Sequence, residues 1–244
     1  MGDQHFPKKT ISSIFILTGA GISAESGVQT FRDKDGVWSK VRIEDVATPE
    51  AFARDPVRVH EFYNTRRAGL RTVEPNPAHF ALARLEERYP GQVTLVTQNV
   101  DNLHERAGCR NVIHMHGELA KAFCAHCGGK AEAAGDLSQA LVCTSCNAPG
   151  GMRPDVVWFG EIPYHLDTIY ERLMEAGLFV SIGTSGAVYP AAGFVAEARA
   201  AGIRTLELNL EPSEGTVLFD EARHGPASVL VPAFVKDMLA DRPA

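Results

Sequence analysis

No stretch of this 244-residue chain strings together the roughly 20 apolar residues that a membrane-crossing helix needs, so a membrane partner is not expected. No run of lysine or arginine stands out either. With a formal net charge of −6, the basic patch that a phosphate backbone attracts is missing, and a nucleic-acid partner is disfavoured. The opening MGDQHFPKKTISS lacks the apolar centre of a secretory leader, and Phe6 stands where a myristoylation signal wants Ser or Thr. A soluble cytoplasmic protein is the expectation. Cysteine is sparse: five residues, in a chain without an export signal, make a disulfide framework a poor reading. Internal repeats and low-complexity tracts are lacking too. What is plentiful is apolar residue content, 45%, enough for a packed core.

The apolar residues come in short runs, each ending in a small polar cluster: IFILTGAG from Ile14, VTLVTQNVD from Val93, LFVSIGTSG from Leu178 and RTLELNLE from Arg204. Continuous runs of this length suit strands covered on both faces. SVLVPAFV near the end reads as strand then helix. Helical patterns lie between the runs. NPAHFALARLEERYPG offers Asn76 as N-cap, Pro77 at the first helical position and Gly91 past the end. In EIPYHLDTIYERLMEAG, Leu166, Ile169, Tyr170, Leu173 and Met174 recur at helical spacing, with Gly177 as a cap. AAGFVAEARAAG forms another helix.

Strands alternating with helices predict an α/β fold, a Rossmann-type parallel sheet with helices on both faces. Residues 34–75, charged and helical, and residues 120–151, which hold the paired cysteines, break the alternation. Both are expected to be insertions that form a smaller second lobe. Residues 1–33, 76–119 and 152–244 are left for the main domain. In such sheets ligands bind at the carboxyl ends of the strands, where TGAG, TQNVD, GTSG and NLEP sit.

Gly19-Ala20-Gly21-Ile22-Ser23-Ala24 fits the dinucleotide pattern G-x-G-x-x-G/A, in which glycines admit a pyrophosphate to the backbone. Alone the pattern fits a tight turn equally well. The stretch about 20 residues on, where a dehydrogenase keeps its acidic ribose ligand, is RDKDGVWSKV. Glu211, ending a late strand, is the better ribose candidate, so hydride transfer is not the expected use of the dinucleotide. Gln98, Asn99 and Asp101 suit an amide-bearing ligand or a sugar, and suit a loop of Asx-turns as well.

Cys124/Cys127 and Cys143/Cys146 are two Cys-x2-Cys knuckles with 15 residues between them, the spacing of a tetrahedral thiolate site. Four thiolates fill a zinc shell and leave no open position, so the expected zinc is structural. Cys109 reads as a small buried apolar residue and His126 as exposed. His114 and His116 are not needed by the metal. On a strand they would share a face, and with zinc excluded the remaining role is general base.

GAGISAESG, TFRD, TQNVDNL, HMHGEL, the two cysteine pairs, VVWFGE, GTSGAVYPA and NLEPS together resemble the sirtuin family, in the family's order and over nearly the whole chain. The group most similar is the bacterial deacylases resembling class III sirtuins. The resemblance implies an NAD-dependent protein lysine deacylase that uses NAD as co-substrate and carries one structural zinc, folded as a Rossmann-type domain with a small lobe made of a helical insertion, 34–75, and a zinc ribbon, 120–151. His116 and Asn99 match the catalytic positions, and His114 matches none. Gly19, Ala20, Gly21, Ser23, Phe31, Arg32 and Trp38 match the cofactor loop. Gln98, Asn99 and Asp101 match the nicotinamide and ribose site, and Gly183, Thr184, Ser185, Asn209, Leu210, Glu211 and Ala227 the adenosine half. Phe159, Gly160 and Glu161 match the segment that pairs with an acyl-lysine peptide as an added strand.

DPVRVHEFYNTRRAG reads as a helix with Asp55 as N-cap and Pro56 at its first position. On it Tyr63 and Arg66 share a face. Taken alone they read as an interfacial tyrosine and an exposed arginine. By resemblance they are the pair that receives the carboxylate of succinyl, malonyl or glutaryl lysine, with Ala47 as the small residue that makes room for the chain. ADP-ribosyl transfer and non-catalytic ADP-ribose binding are the rival uses of the same site.

Overall fold

The structure is a computed structural model that describes residues 11–29, 41–133 and 135–240. The chain builds β1 (Ser13–Thr18), β2 (Gln92–Thr97) and β3 (Val112–His114), then β4 (Gly117–Cys124), β5 (Lys130–Glu132) and β6 (Met152–Val156), then β7 (Leu178–Ile182), β8 (Arg204–Asn209) and β9 (Glu221–His224). The helices are α1 (Ala20–Ala24), α2 (Ile43–Val46), α3 (Pro49–Arg54), α4 (Pro56–Leu70), α5 (Pro77–Arg88), α6 (Leu103–Arg106), α7 (Leu166–Met174), α8 (Phe194–Ala200) and α9 (Ala227–Ala240).

The main sheet has the order β3-β2-β1-β7-β8-β9, and every neighbouring pair is parallel. This is the Rossmann order, with its winding reversed between β1 and β7. In open sheets of this kind ligands bind at that switch point, outside the carboxyl ends of the strands. The apolar runs are continuous because alternate residues face opposite layers. Ile14, Ile16, Val180 and Leu206 pack against Leu82 and Leu85 of α5 and Val231 and Phe234 of α9. Phe15, Leu17, Val96 and Phe179 pack against Ile169 and Leu173 of α7 and Phe194 of α8. Cys109 is buried within the first of these layers, as an apolar residue would be.

The expected caps are present. Asn76 accepts from the Ala78 N–H at 2.9 Å ahead of α5, and Asp55 accepts from the Arg58 N–H at 3.1 Å ahead of α4. Three readings are corrected. SVLVPAFV holds no strand: all of it lies in α9, where Val231, Phe234 and Val235 fall on one helical stripe against the sheet layer. The sixth strand is instead the short polar EARH of β9, which lies at the sheet edge and needs no apolar run. The last turn of α7 closes at Glu175, whose N–H bonds back to Glu171 O. Gly177 does not cap it but donates to Ser13 O at 3.0 Å as the chain enters β7.

A second, antiparallel sheet, β5-β4-β6, carries the cysteines and packs with α2 to α4 as a small lobe. Val46, Ala47, Ala51, Val59, Tyr63, Leu119 and Trp158 form its helical core. Among the described residues no helix is long and apolar enough to cross a membrane.

Candidate functional site

The parallel register sets the floor of the site. Thr18 pairs with Thr97 and Ile182, Thr97 with His114, and Ile182 with Leu208. One residue further along, Gly19, Gln98, Gly183 and Asn209 therefore stand at the same level, at the carboxyl edge. A narrow cleft opens there, lined among others by Gln98, Thr184, Gly186, Ser213 and Gly215.

The glycines have a duty beyond ligand approach. A methyl group on Gly21 would lie 2.7 Å from Gly183 Cα, and one on Gly19 2.8 Å from Gly183 O. Gly183, at φ +62°, has Ile22 N 2.5 Å from its own missing Cβ. The Gly21 N–H donates to Gly183 O at 2.8 Å. All three glycines thus let the loops after β1 and β7 touch at the switch point.

A buried polar network lies beside this contact. Asn99 Nδ2 donates to Gly19 O at 3.1 Å and to Ser23 Oγ at 3.2 Å. Ser23 Oγ donates to Asp101 Oδ2 at 3.0 Å, and Asp101 Oδ1 accepts from the Leu103 N–H at 3.1 Å. The Asx-turn expected at Asp101 is therefore real, and it coexists with an inward-facing carboxyl. Burial raises the Asp101 pKa, against the Leu103 N–H and Ser23 hydrogen bonds that lower it. Beneath it, His79 Nδ1 accepts from the Asn76 N–H, so Nε2 carries the proton it directs at Ser23 Oγ, 3.4 Å away. Thr18 Oγ1 donates to Thr97 Oγ1 and accepts from His104 Nε2 at 3.0 Å. Desolvation lowers His79 to about 4 and His104 to about 3, so both are neutral. No sequence pattern linked these residues. Ser23 and His79 are 56 positions apart and meet only through the fold.

The two histidines of HMHG diverge. β3 ends at His114, and His116 sits in the turn beyond it, so the expected shared strand face does not exist. His116 Nδ1 lies 3.0 Å from Gln98 O, which fixes the proton on Nδ1 and leaves Nε2 with its lone pair. Burial lowers its pKa, with the Gln98 carbonyl opposing. His114 Nε2 meets Glu105 Oε1 at 2.7 Å and its Nδ1 faces Asn99 O at 3.4 Å. Burial works against charge on His114, but Glu105 outweighs it and the pKa is raised. Gly117 must follow His116: at φ +78°, an added Cβ would lie 2.1 Å from Asp155 O.

At the ends of β7 and β8, Asn209 Nδ2 donates to Thr184 O at 2.8 Å, which ties the two strands together. Ser185 Oγ accepts from the Ala187 N–H. β8 stops at Asn209, so Glu211 stands two residues beyond the strand, exposed like Leu210. Ala227 opens α9, whose next residue, Ser228, is held through its N–H by Glu25 at 2.9 Å. Phe31, Arg32 and Trp38 lie outside the described residues.

Towards the small lobe, Ala47 is buried and its carbonyl accepts from the Phe159 N–H at 3.0 Å. Phe159 to Glu161 form a turn, with Gly160 at φ +90°. The Glu161 N–H is spent on Trp158 O, and its carboxylate on Arg153 and the Trp158 N–H. Tyr63 is only 3% exposed, and Arg66 is half-buried rather than exposed. Burial lowers the Arg66 pKa, while Tyr63 and Asp101 both support its charge. Tyr63, Arg66 and the Asp101 carboxyl thus share one field.

The four knuckle thiols lie within 4.8 Å of one another. Cys124 and Cys146 Sγ are 3.8 Å apart, and Cys127 and Cys143 Sγ 3.7 Å. A zinc tetrahedron with Zn–S bonds of about 2.3 Å has edges of about 3.8 Å, so the cluster fits one. The Gly129 and Ser145 N–H groups donate to Cys127 and Cys143 Sγ, as thiolate ligands require. His116 directly precedes β4, and Cys124 ends it, eight residues on. At strand rise that separation is on the order of 20 Å. His126 is exposed.

A Rossmann sheet with a glycine-lined switch-point crevice and an appended four-cysteine lobe defines a dinucleotide-site α/β protein rather than a metallohydrolase. A family model described as the Sir2 family matches residues 19–190, and the chain belongs to that family. An NAD-dependent protein deacylase of Caulobacter vibrioides is 59% identical over 233 residues, which cover 94% of this chain and 98% of that one. An NAD-dependent protein deacylase of Vibrio vulnificus is 57% identical over 239 residues, 97% and 96% of the two chains. Among solved structures, a Sir2 homolog–NAD complex matches with TM-score 0.86 at 38% identity, covering 93% of this chain and 90% of that one. A Sir2 complex with deacetylated p53 peptide and 3'-O-acetyl ADP-ribose matches with TM-score 0.76 at 29% identity, covering 95% and 94%.

Proposed function

We propose that this chain is an NAD-dependent protein lysine deacylase that removes succinyl and malonyl groups as well as acetyl, with desuccinylation at least comparable to deacetylation. NAD supplies a nicotinamide–ribose bond whose ribose carbon accepts the acyl oxygen as nicotinamide leaves; one water is consumed in freeing the lysine, and the products are nicotinamide, free lysine and 2'-O-acyl-ADP-ribose. The observation that carries this reading is the role of Gln98. It stands in the crevice row after β2, and its carbonyl holds His116 in the tautomer that leaves Nε2 free. A neutral imidazole with an open lone pair beside that row is a base for a ribose hydroxyl. Asn99 and Asp101, fixed by Gly19, Ser23 and Leu103, hold the nicotinamide end, with Asp101 taking the carboxamide. Gly183, Thr184, Ser185, Asn209, Leu210, Glu211 and Ala227 take the adenosine half.

Tyr63 and Arg66 receive the acyl carboxylate, and Ala47 leaves room for the chain. A guanidinium and a phenol together suit a carboxylate, and a neutral acetyl group offers no such partner. Phe159 and Gly160 bind the peptide backbone. Cys124, Cys127, Cys143 and Cys146 hold one zinc that stabilises the lobe and takes no part in the reaction. The test is incubation with NAD and succinyl-, malonyl- or acetyl-lysine peptides. Nicotinamide release in step with deacylation is expected. Nicotinamide release without deacylation, or ADP-ribose bound and left intact, overturns the reading.

A further inference from the structure

Trp158 has no part in the site as described so far, yet it is 2% exposed and joins two of its elements. Its indole Nε1–H donates to the Tyr63 hydroxyl at 2.9 Å. An indole nitrogen can only donate, so the phenol oxygen is the acceptor and its own hydrogen must point elsewhere. Burial raises the Tyr63 pKa to about 12, so that hydrogen stays on the oxygen. Arg66 lies one helical turn on along the same face of α4, and its positive charge opposes, without cancelling, the rise that burial gives Tyr63.

The indole is itself held from both sides. The Arg153 guanidinium stacks 3.2 Å from the centroid of the Trp158 ring and 4.5 Å from that of Phe123. Glu161 receives Arg153 Nη1 at 2.7 Å and Nη2 at 2.9 Å, and the Trp158 backbone N–H at 2.8 Å. Phe52 covers the indole with ring centroids 5.5 Å apart. These contacts hold the ring with its N–H on Tyr63.

We propose that Trp158 is a specificity-determining residue: its N–H occupies the acceptor side of the Tyr63 hydroxyl and so makes that hydroxyl a fixed donor towards an acyl carboxylate. Arg153 and Glu161 are positioning residues for the indole. Glu161 thereby serves the acyl pocket through its side chain rather than the peptide through its backbone. The inference rests on the reading of Tyr63 and Arg66 as the carboxylate pair. A phenylalanine at position 158 would keep a ring over Arg153 but release the Tyr63 hydroxyl to rotate.

The experiment measures kcat/KM for succinyl- and acetyl-lysine peptides at saturating NAD in wild type, Trp158→Phe, Tyr63→Phe and the double variant. Trp158→Phe is expected to lower the succinyl-to-acetyl ratio about three- to tenfold, the range of one lost hydrogen bond, chiefly through KM for the succinyl peptide. In the Tyr63→Phe background the same change is expected to leave the ratio where Tyr63→Phe put it. Equal losses on both peptides, or the same ratio loss in both backgrounds, overturn the proposal. Should Trp158→Phe fail to fold, ¹⁵N spectra of the otherwise intact protein decide, because the chain has two tryptophans and so two indole N–H signals. Tyr63→Phe and the succinyl peptide are each expected to move the Trp158 signal, assigned with Trp38→Phe; a signal that neither moves overturns the proposal. A wild type that removes acetyl but no succinyl groups overturns instead the underlying acyl reading, before any variant is compared.

Discussion

His114 and His116 meet the carbonyls of two consecutive residues, Asn99 and Gln98, yet their pKa values shift in opposite directions. His116 gives its one proton to Gln98 O and keeps Nε2 free, and burial lowers its pKa. His114 is braced by Glu105 at 2.7 Å, and its pKa is raised. One is prepared to take a proton, the other to keep one.

His116→Tyr is therefore expected to leave the fold and the zinc lobe intact and to cut deacylation about 10²–10⁴-fold, the usual loss for a general base. His114→Ala should cost far less. Because the His116 pKa is lowered from 6.5, the base is neutral above that value, and its acid limb in kcat/KM lies below pH 6.5. Reversed effects of the two substitutions would exchange their roles.

Stability should fall in acid because of His79 and His104. Their folded pKa values, about 4 and about 3, lie below the unfolded 6.5. The unfolded chain thus binds more protons once the pH drops below 6.5. Stability present above that pH is lost progressively towards the folded values, by up to about 1.4 kcal/mol per pH unit for each histidine. Urea midpoints between pH 7 and 4 test this, and His104→Gln should flatten the slope. An unchanged slope would mean these rings are not the groups that titrate.

Cys124→Ser should release zinc and lower Tm, since folding free energy is tied to metal binding. Metal content and melting are the readouts. A zinc-free preparation with unaltered Tm would end the structural-zinc assignment.

Gly21→Ala places a methyl group 2.7 Å from Gly183 Cα. Overpacking of backbone against backbone should destabilise the fold by about 1–3 kcal/mol and weaken NAD binding at the same time. Chemical denaturation and NAD titration report the two effects. A neutral result would show that the loops after β1 and β7 are free to part.

Arg66→Met should remove a charge-assisted contact of roughly 1.5–3 kcal/mol and lower kcat/KM for succinyl-lysine about ten- to a hundredfold. The loss for acetyl-lysine should be much smaller. Equal losses would assign Arg66 a structural part instead.

Much of this protein is determined locally and so can be read from the sequence by itself. β-Branched runs make the buried strands, Asn76-Pro77 and Asp55-Pro56 start two helices, and two Cys-x2-Cys pairs at fixed spacing make a four-thiol knuckle. These follow from period, capping and chain geometry over a few residues. β9 escaped because a short edge strand needs no apolar run, and the start of α9 misled because Val and Leu suit strand and helix alike. Only the tertiary structure brought Gly21 against Gly183, His79 beneath Ser23 and Trp158 onto Tyr63. Those partners lie 56 to 162 positions apart in the chain. Only the same structure set the tautomer of His116 and moved the pKa values of His116 and His114 in opposite directions, because tautomer and pKa are set by which carbonyl, carboxylate and desolvating wall each ring meets, and none of these is a neighbour in the chain.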